Sequence, residues 1–295
     1  MHRRLALQSL LLAGSGTAAA ASAIAPGQSE SQSAIQPRSP AIVDTNVSLF
    51  QWPFRRLPLD TTDKLVAKLR SLGVTRALAG SFEGLFHRNL TDVNRRLAHE
   101  CAGYTELIPV GTINPSQPGW RDDFELCQSE LAMPGIRLHP GCHDYQLTTP
   151  AVRELFELAA RAGVFVQLTT AIEDRRTQPQ LYRTADVDLL PLCEVCRDLS
   201  GLRLQLLNSR PSEVLAERLS AVPGLCFDTA RLEGTDTVPR LFQSVGRGRL
   251  MFGSHAPFLI PEAALIRTYE SGLLPTDDVR LILESGGDLL VRKPA

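Results

Sequence analysis

Residues 150–170 read PAVRELFELAARAGVFVQLTT, and the boundary inside them decides the fold. Up to Gly163, apolar residues recur at helical spacing, opened by Pro150 and closed by a glycine, as helix ends prefer. From Val164 the pattern becomes VFVQLTT, a short apolar run of strand length. The same alternation extends in both directions. Apolar runs AIVDTNVSL (41–49), VTRALAGS (74–81), ELIPVGTIN (106–114), GIRLHP (135–140), LRLQLLN (202–208), LCFDTA (225–230) and RLMFGSH (249–255) are separated by amphipathic stretches such as DTTDKLVAKLRSLG, PSEVLAERLSAV and TVPRLFQSV. Strands alternating with helices imply a parallel sheet, because each return to the same edge needs a crossover.

About eight such units in about 250 residues is the size of a closed barrel. The expected fold is therefore α/β, a single-domain (β/α)8 TIM barrel over residues 41–295. An open doubly wound sheet is the rival, but no G-x-G-x-x-G or G-x-x-x-x-G-K turn follows a strand. GRGR at 246–249 precedes a strand and reads as a turn.

The chain has 295 residues, a net charge of -1, 43% hydrophobic and 21% charged residues. A phosphate-tracking protein needs a basic stripe, so nucleic acid is not an expected partner. The lysines are Lys64, Lys68 and Lys293; the other basic side chains are arginines and histidines. The start, MHRRLALQSLLLAGSGTAAAASA, pairs Arg3-Arg4 with a short apolar run and an Ala-Ser-Ala end. Residues 1–23 read as a twin-arginine-type signal peptide, with cleavage after Ala23 or Ala25 and a periplasmic product. An N-terminal anchor is the alternative, but the run is too short and small to cross about 30 Å of hydrocarbon. Residues 24–40, rich in Pro, Gln and Ser, read as a disordered linker. Six cysteines follow. Cys193 and Cys196 sit in LLPLCEVCRDL, which reads as a helix, and packing is the expected role in the absence of a helix N-terminus or a second pair.

In a barrel, chemistry gathers at the C-terminal strand ends. Those ends carry Asp44, Asn46 and Ser48; Ser81 and Glu83; Asn114; Arg137 and His139; Gln167 and Thr169; Asn208; Asp228, with Arg231 and Glu233 beyond; and His255. Strict alternation puts Asp44, Asn46 and Ser48 at the mouth, and Val43, Thr45, Val47 and Leu49 under the helices.

Asp44 on the first strand, GIRLHP on the fourth, GSHAPF on the eighth and a late SGGDLL together resemble the amidohydrolase superfamily, in its amidohydrolase-related branch, from about residue 41 to 290. Trp52-Pro53-Phe54-Arg55 is similar to a subgroup with WPFR after strand one. The resemblance implies a hydrolase whose members hold a divalent metal through first-strand, fifth-strand and sixth-strand histidines and an eighth-strand aspartate. Here Asn46 and Ser48, Gln167 and Thr169, Asn208 and His255 stand in those places, and neutral amides and hydroxyls are poor zinc ligands. A carboxylated-lysine centre or a Schiff base has no lysine at a strand end to use.

What remains is histidine as base. His255 inherits the proton-accepting place by position, His139 is its equal and His143 a third candidate; a structural histidine is the plainer alternative. Arg137 shares a face with His139 and suits a substrate carboxylate or an oxyanion, or else an ion pair with Asp44 or Glu83. Asp44 would orient a histidine or balance the arginine. Asn46, Trp52, Arg55, Glu83, Asn208 and Glu233 complete the expected substrate contacts. Trp52, Phe54 and Phe258 would form an apolar wall or simply core. Glu173-Asp174-Arg175-Arg176 would sit on a lid loop or be solvated charge.

The expected function is hydrolysis of a small, carboxylated ester, lactone or amide, with no metal ligands and no cofactor. The alternatives are a barrel that binds a small ligand without catalysis, and a decarboxylase or hydrolase with one zinc or manganese ion held by His139, His143, His255 and Asp44. A small molecule is the expected partner, with a homo-oligomer as a further possibility.

Overall fold

The structure is a computed structural model describing residues 41–270 and 272–290. The signal peptide expected over 1–23, the linker over 24–40 and Lys293 lie outside the described residues.

Eight strands follow chain order around one sheet: β1 (Ile42–Leu49), β2 (Val74–Ser81), β3 (Leu107–Thr112), β4 (Gly135–Leu138), β5 (Phe165–Thr169), β6 (Leu204–Leu207), β7 (Leu225–Asp228) and β8 (Leu250–Met251). Successive strands pair in parallel. Just beyond β8, Thr45 N–H donates to Phe252 O and Ser48 N–H to Ala256 O, both at 2.9 Å. These bonds join the ends of the sheet, giving the expected (β/α)8 barrel.

Around it lie α1 (Thr62–Ser71), α2 (Leu90–Cys101), α3 (Trp120–Glu125), α4 (Pro140–His143), α5 (Pro150–Ala162), α6 (Leu192–Val195), α7 (Glu213–Ser220), α8 (Thr237–Val245), α9 (Pro261–Tyr269) and α10 (Thr276–Glu284). The stretch quoted first behaves as read. Pro150 opens α5, Gly163 ends it with φ +63°, and β5 starts at Phe165. Val152, Leu155, Phe156 and Ala159 of α5 pack with Ile136, Leu138, Val166 and Leu168 on the outward strand faces. Each such large side chain, fully buried, is worth roughly 1.5–3 kcal/mol. Inside the barrel, Leu78, Val110, Phe165 and Met251 pack on Leu289 of the SGGDLL turn, which closes the N-terminal end. Gly135 makes room there: a Cβ on it would lie 2.2 Å from the Phe165 ring.

Two sequence expectations change. LLPLCEVCRDL is helical only over Leu192–Val195, and Pro191, which has no N–H to donate, stands at its start. The six cysteines are free thiols, consistent with packing. In β1, Asp44 faces Ala77 while Val47 faces Ala79, so three steps on one strand match two on the other. This bulge breaks the alternation. Thr45 turns inward, where its Oγ1 accepts from Gln205 Nε2 at 2.8 Å.

Candidate functional site

The upper half of the barrel is filled by a hydrogen-bonded polar layer. Arg137, 2% exposed, runs across it from β4. Its Nε donates to Gln167 Oε1 (2.9 Å), Nη1 to Val47 O (3.0 Å) and Ser48 Oγ (3.4 Å), and Nη2 to Leu78 O (3.2 Å). Gly80 lets it pass, since a Cβ there would meet Nη1 at 2.4 Å. Gln167 Nε2 in turn donates to Thr45 O (2.7 Å) and Gln205 Oε1 (2.8 Å). Arg137 is thus held by carbonyls and amides rather than by an ion pair with Asp44 or Glu83. Burial draws its pKa down to about 10, with Asp228 and Asp44 opposing, so it stays charged near neutrality.

Above this layer Asn46 Nδ2 donates to Asn208 Oδ1 (2.9 Å) and Asp228 Oδ2 (2.7 Å), while Asn208 N–H donates to Asp228 Oδ1 (2.9 Å). Asp44 Oδ1 accepts from the N–H groups of Asn46 (3.0 Å) and Ser254 (2.9 Å); its Oδ2 is buried without a hydrogen-bond partner among the described residues. Burial raises Asp44 to about 6 and Asp228 to about 7, the latter also through the charge of Asp44.

His139 follows β4 and is 4% exposed, with Nδ1 and Nε2 both buried and unpartnered among the described residues. Burial, then the neighbouring His143, Arg137 and His255, holds it well below the usual imidazole value, so it is neutral. His255 is tied more firmly: its Nε2 lies 2.7 Å from Ile172 O, its ring stacks on Phe258 at 5.2 Å, and burial lowers its pKa to about 3. The bond to a carbonyl requires the proton on Nε2, leaving Nδ1 as the lone-pair nitrogen. His143 Nε2 is 2.9 Å from Gly84 O.

Asp44, Asn46, Arg137, His139, Asn208 and His255 are therefore gathered in one buried region. The other expected residues lie apart. Trp52 joins Phe82, Phe86, Tyr182 and Phe258 in an aromatic cover built from four different loops, with ring centroids 5.0–6.3 Å from the indole. Arg55 pairs with Glu173 (2.6 Å), Glu83 with Arg96 (3.0 Å) and Glu233 with Arg210 (2.8 Å). Sequence reasoning placed Asp228 and Arg231 at or just beyond a strand end without giving either a role, and missed Gln205. Asp228 had a signal, as a carboxylate ending a strand with no lysine near; Arg231, in a loop, had only its proximity.

The resemblance implies a metal, and the donor set does not fit one. Ser48 faces a guanidinium, and the amides of Asn46, Asn208 and Gln167 are engaged with one another, with Asp228 and with backbone. Among the described residues no three His, Cys, Asp or Glu side chains converge as ligands. Zinc prefers imidazole, thiolate or carboxylate, and a fixed positive charge beside the first-strand positions repels any cation.

No family model and no curated protein matches the sequence. Solved structures do match in fold. A candidate amidohydrolase from Staphylococcus aureus has 13% identity and a TM-score of 0.65, covering 84% of this chain and 99% of its own. A 5-carboxyvanillate decarboxylase from Sphingomonas paucimobilis has 13% identity and a TM-score of 0.67, covering 85% and 99%. A dihydroxybenzoic acid decarboxylase from Polaromonas sp. JS666, solved with manganese and the inhibitor 2-nitroresorcinol, has 12% identity and a TM-score of 0.68, covering 85% and 97%. These likenesses bear out the fold that the resemblance implies.

Proposed function

We propose that the chain is an amidohydrolase-type enzyme that hydrolyses an ester, lactone or amide bond in a small carboxylated molecule without a metal. The observation that supports this most is His139: a neutral imidazole, buried beside a fixed guanidinium, with both ring nitrogens unpartnered among the described residues. Water attacks the substrate carbonyl carbon, and its proton passes to a His139 nitrogen as the oxyanion forms. Collapse breaks the bond to the leaving group, which takes that proton back. Being neutral, His139 has a lone pair free to take the proton. The charge of Arg137 favours the oxyanion. Export to the periplasm and self-association belong to the same proposal.

A second reading, decarboxylation, has its own support. Asp228, raised to about 7, is part-protonated near neutrality and can donate to a carbanion, which neutral His139 cannot. Two of the fold relatives named above are decarboxylases of aromatic acids. Manganese is bound in the Polaromonas protein; the donor set here does not fit such an ion, so this reading too rests on the chain's own acid.

The test is a panel of small carboxylated esters, lactones, amides and hydroxybenzoates, followed by acid release and by carbon dioxide release, with and without chelator. Acid release that survives chelation and falls by about 10²–10⁴-fold in His139→Gln upholds the hydrolase. Carbon dioxide release selects the decarboxylase. Tight binding without either product selects a non-catalytic barrel.

A further inference from the structure

We infer that Arg231 anchors the carboxylate of a small organic acid in the cavity above β5, β6 and β7. The cavity is about 380 Å³ and is lined by Arg231, Thr170, Asn208, Val187, Leu189 and Leu215 among others. Arg231 is only 8% exposed.

The surrounding charges single this residue out. Glu173 pairs with Arg55 (2.6 Å), Asp174 with Arg176 (2.9 Å), Asp186 with Arg175 (3.5 Å) and Glu233 with Arg210 (2.8 Å). Each carboxylate at the rim has its own arginine. The Arg231 guanidinium is left with neither a hydrogen bond nor an ion pair among the described residues, while lining the cavity. Burying an unpaired guanidinium is costly. A carboxylate offers two oxygens to its planar fork and offsets that cost.

The same surroundings choose among anions. Asp174, Asp186 and Glu233 lie within electrostatic reach of Arg231. They tolerate one negative charge balanced by one guanidinium and oppose a phosphate dianion. Val187, Leu189 and Leu215 offer apolar contact to the body of the acid. Asn208 lines the cavity and also bonds Asn46, so the bound acid lies next to the buried region that holds the histidines. Arg231 also acts on the charge of His255. The subsite's place in a reaction rests on the proposed hydrolase; its binding of an acid does not.

Titration calorimetry of the full chain with benzoate, its neutral isostere benzamide, and inorganic phosphate tests the assignment. Benzoate is expected to bind, benzamide and Arg231→Gln each to lose about tenfold or more in affinity, and Arg231→Lys to fall between. Thermal unfolding checks that the variants fold; should Arg231→Gln not fold, Arg231→Lys carries the comparison. Equal binding of benzamide, unchanged benzoate affinity in the Arg231 variants, tighter binding of phosphate, or no binding of benzoate to the wild type overturns it. His139→Gln should keep benzoate affinity. A wild type that binds benzoate through Arg231 yet hydrolyses nothing sinks the proposed reaction and leaves the subsite standing; hydrolysis with KM indifferent to Arg231 does the reverse.

Discussion

Asn46 Nδ2 donates to Asp228 Oδ2 at 2.7 Å, joining β1 to β7 past the bare backbone of Gly253. A Cβ on Gly253 would lie 3.0 Å from that carboxylate oxygen and 3.1 Å from the Asn46 Cβ, so glycine permits the contact. The same amide also serves Asn208, so one side chain joins three strand ends at the mouth.

Asn46→Ala should therefore leave Asp228 Oδ2 and Asn208 Oδ1 each without their Asn46 donor in a buried place. The expected loss is about 2–3 kcal/mol. Urea unfolding should show a lower midpoint at an unchanged slope; an unchanged midpoint would mean that the triad contributes nothing to stability.

Opposing shifts shape the pH dependence of stability. Asp44 and Asp228 have folded values of about 6 and about 7 against an ordinary 3.8, so the folded state holds their protons more tightly. Their stabilisation is complete below the unfolded value and is lost as pH rises through the folded ones. His139 and His255 are shifted down, so their contribution is present above the ordinary 6.5 and is lost as pH falls. An unfolded histidine is still half protonated at the ordinary 6.5, so the histidines go on raising stability until about a unit above it, while the carboxyls work against that rise. Asp228→Asn, which has no titrating proton, should remove the larger part of the opposing slope, so urea midpoints should rise more steeply between about pH 6 and 8 than in the wild type. Identical pH profiles in the two proteins would remove Asp228 as a source.

Trp52, 4% exposed, is the hub of the aromatic cover. Its ring stands 5.4 Å from Phe82 and 5.0 Å from Phe258, both edge-on. Trp52→Ala should cost about 3–5 kcal/mol through the cavity it opens, while Trp52→Phe should cost much less. Chemical denaturation of both variants measures the difference. Similar small losses would show that the loops collapse freely around the gap.

The barrel was legible because eight apolar runs of strand length alternate with amphipathic stretches and glycine or proline marks several of the boundaries, as at Pro150 and Gly163. Strand-end chemistry followed from that order, which is why Arg137, His139 and His255 fell in one region. The orientation of Thr45 was not legible, since a bulge of one residue reverses parity without a composition signal. Nor were the ion pairs: Arg55 and Glu173 are 118 positions apart and meet only because two loops overhang the same mouth. Arg231 became distinctive only after every neighbouring carboxylate was seen to have another partner.

Metal dependence gives the last expectation. Ser48 Oγ accepts from Arg137 Nη1, so a positive charge faces one of the positions that the resemblance assigns to a ligand. At 4 Å, even in an environment of effective dielectric about 20, two unit charges repel by about 4 kcal/mol, and a divalent ion doubles that. The neutral amides of Asn46 and Asn208 cannot compensate as thiolates or carboxylates would. Elemental analysis of the purified full chain should find no stoichiometric zinc or manganese. Dialysis against chelator should leave the unfolding temperature unchanged within about 1 °C, and added metal should not raise it, because a ligand that does not bind the folded state cannot stabilise it. One retained equivalent whose removal lowers that temperature would instead place a cation among Asp44, His139, His143 and His255, and would turn the chemistry of the mouth toward that of the manganese-bearing relative.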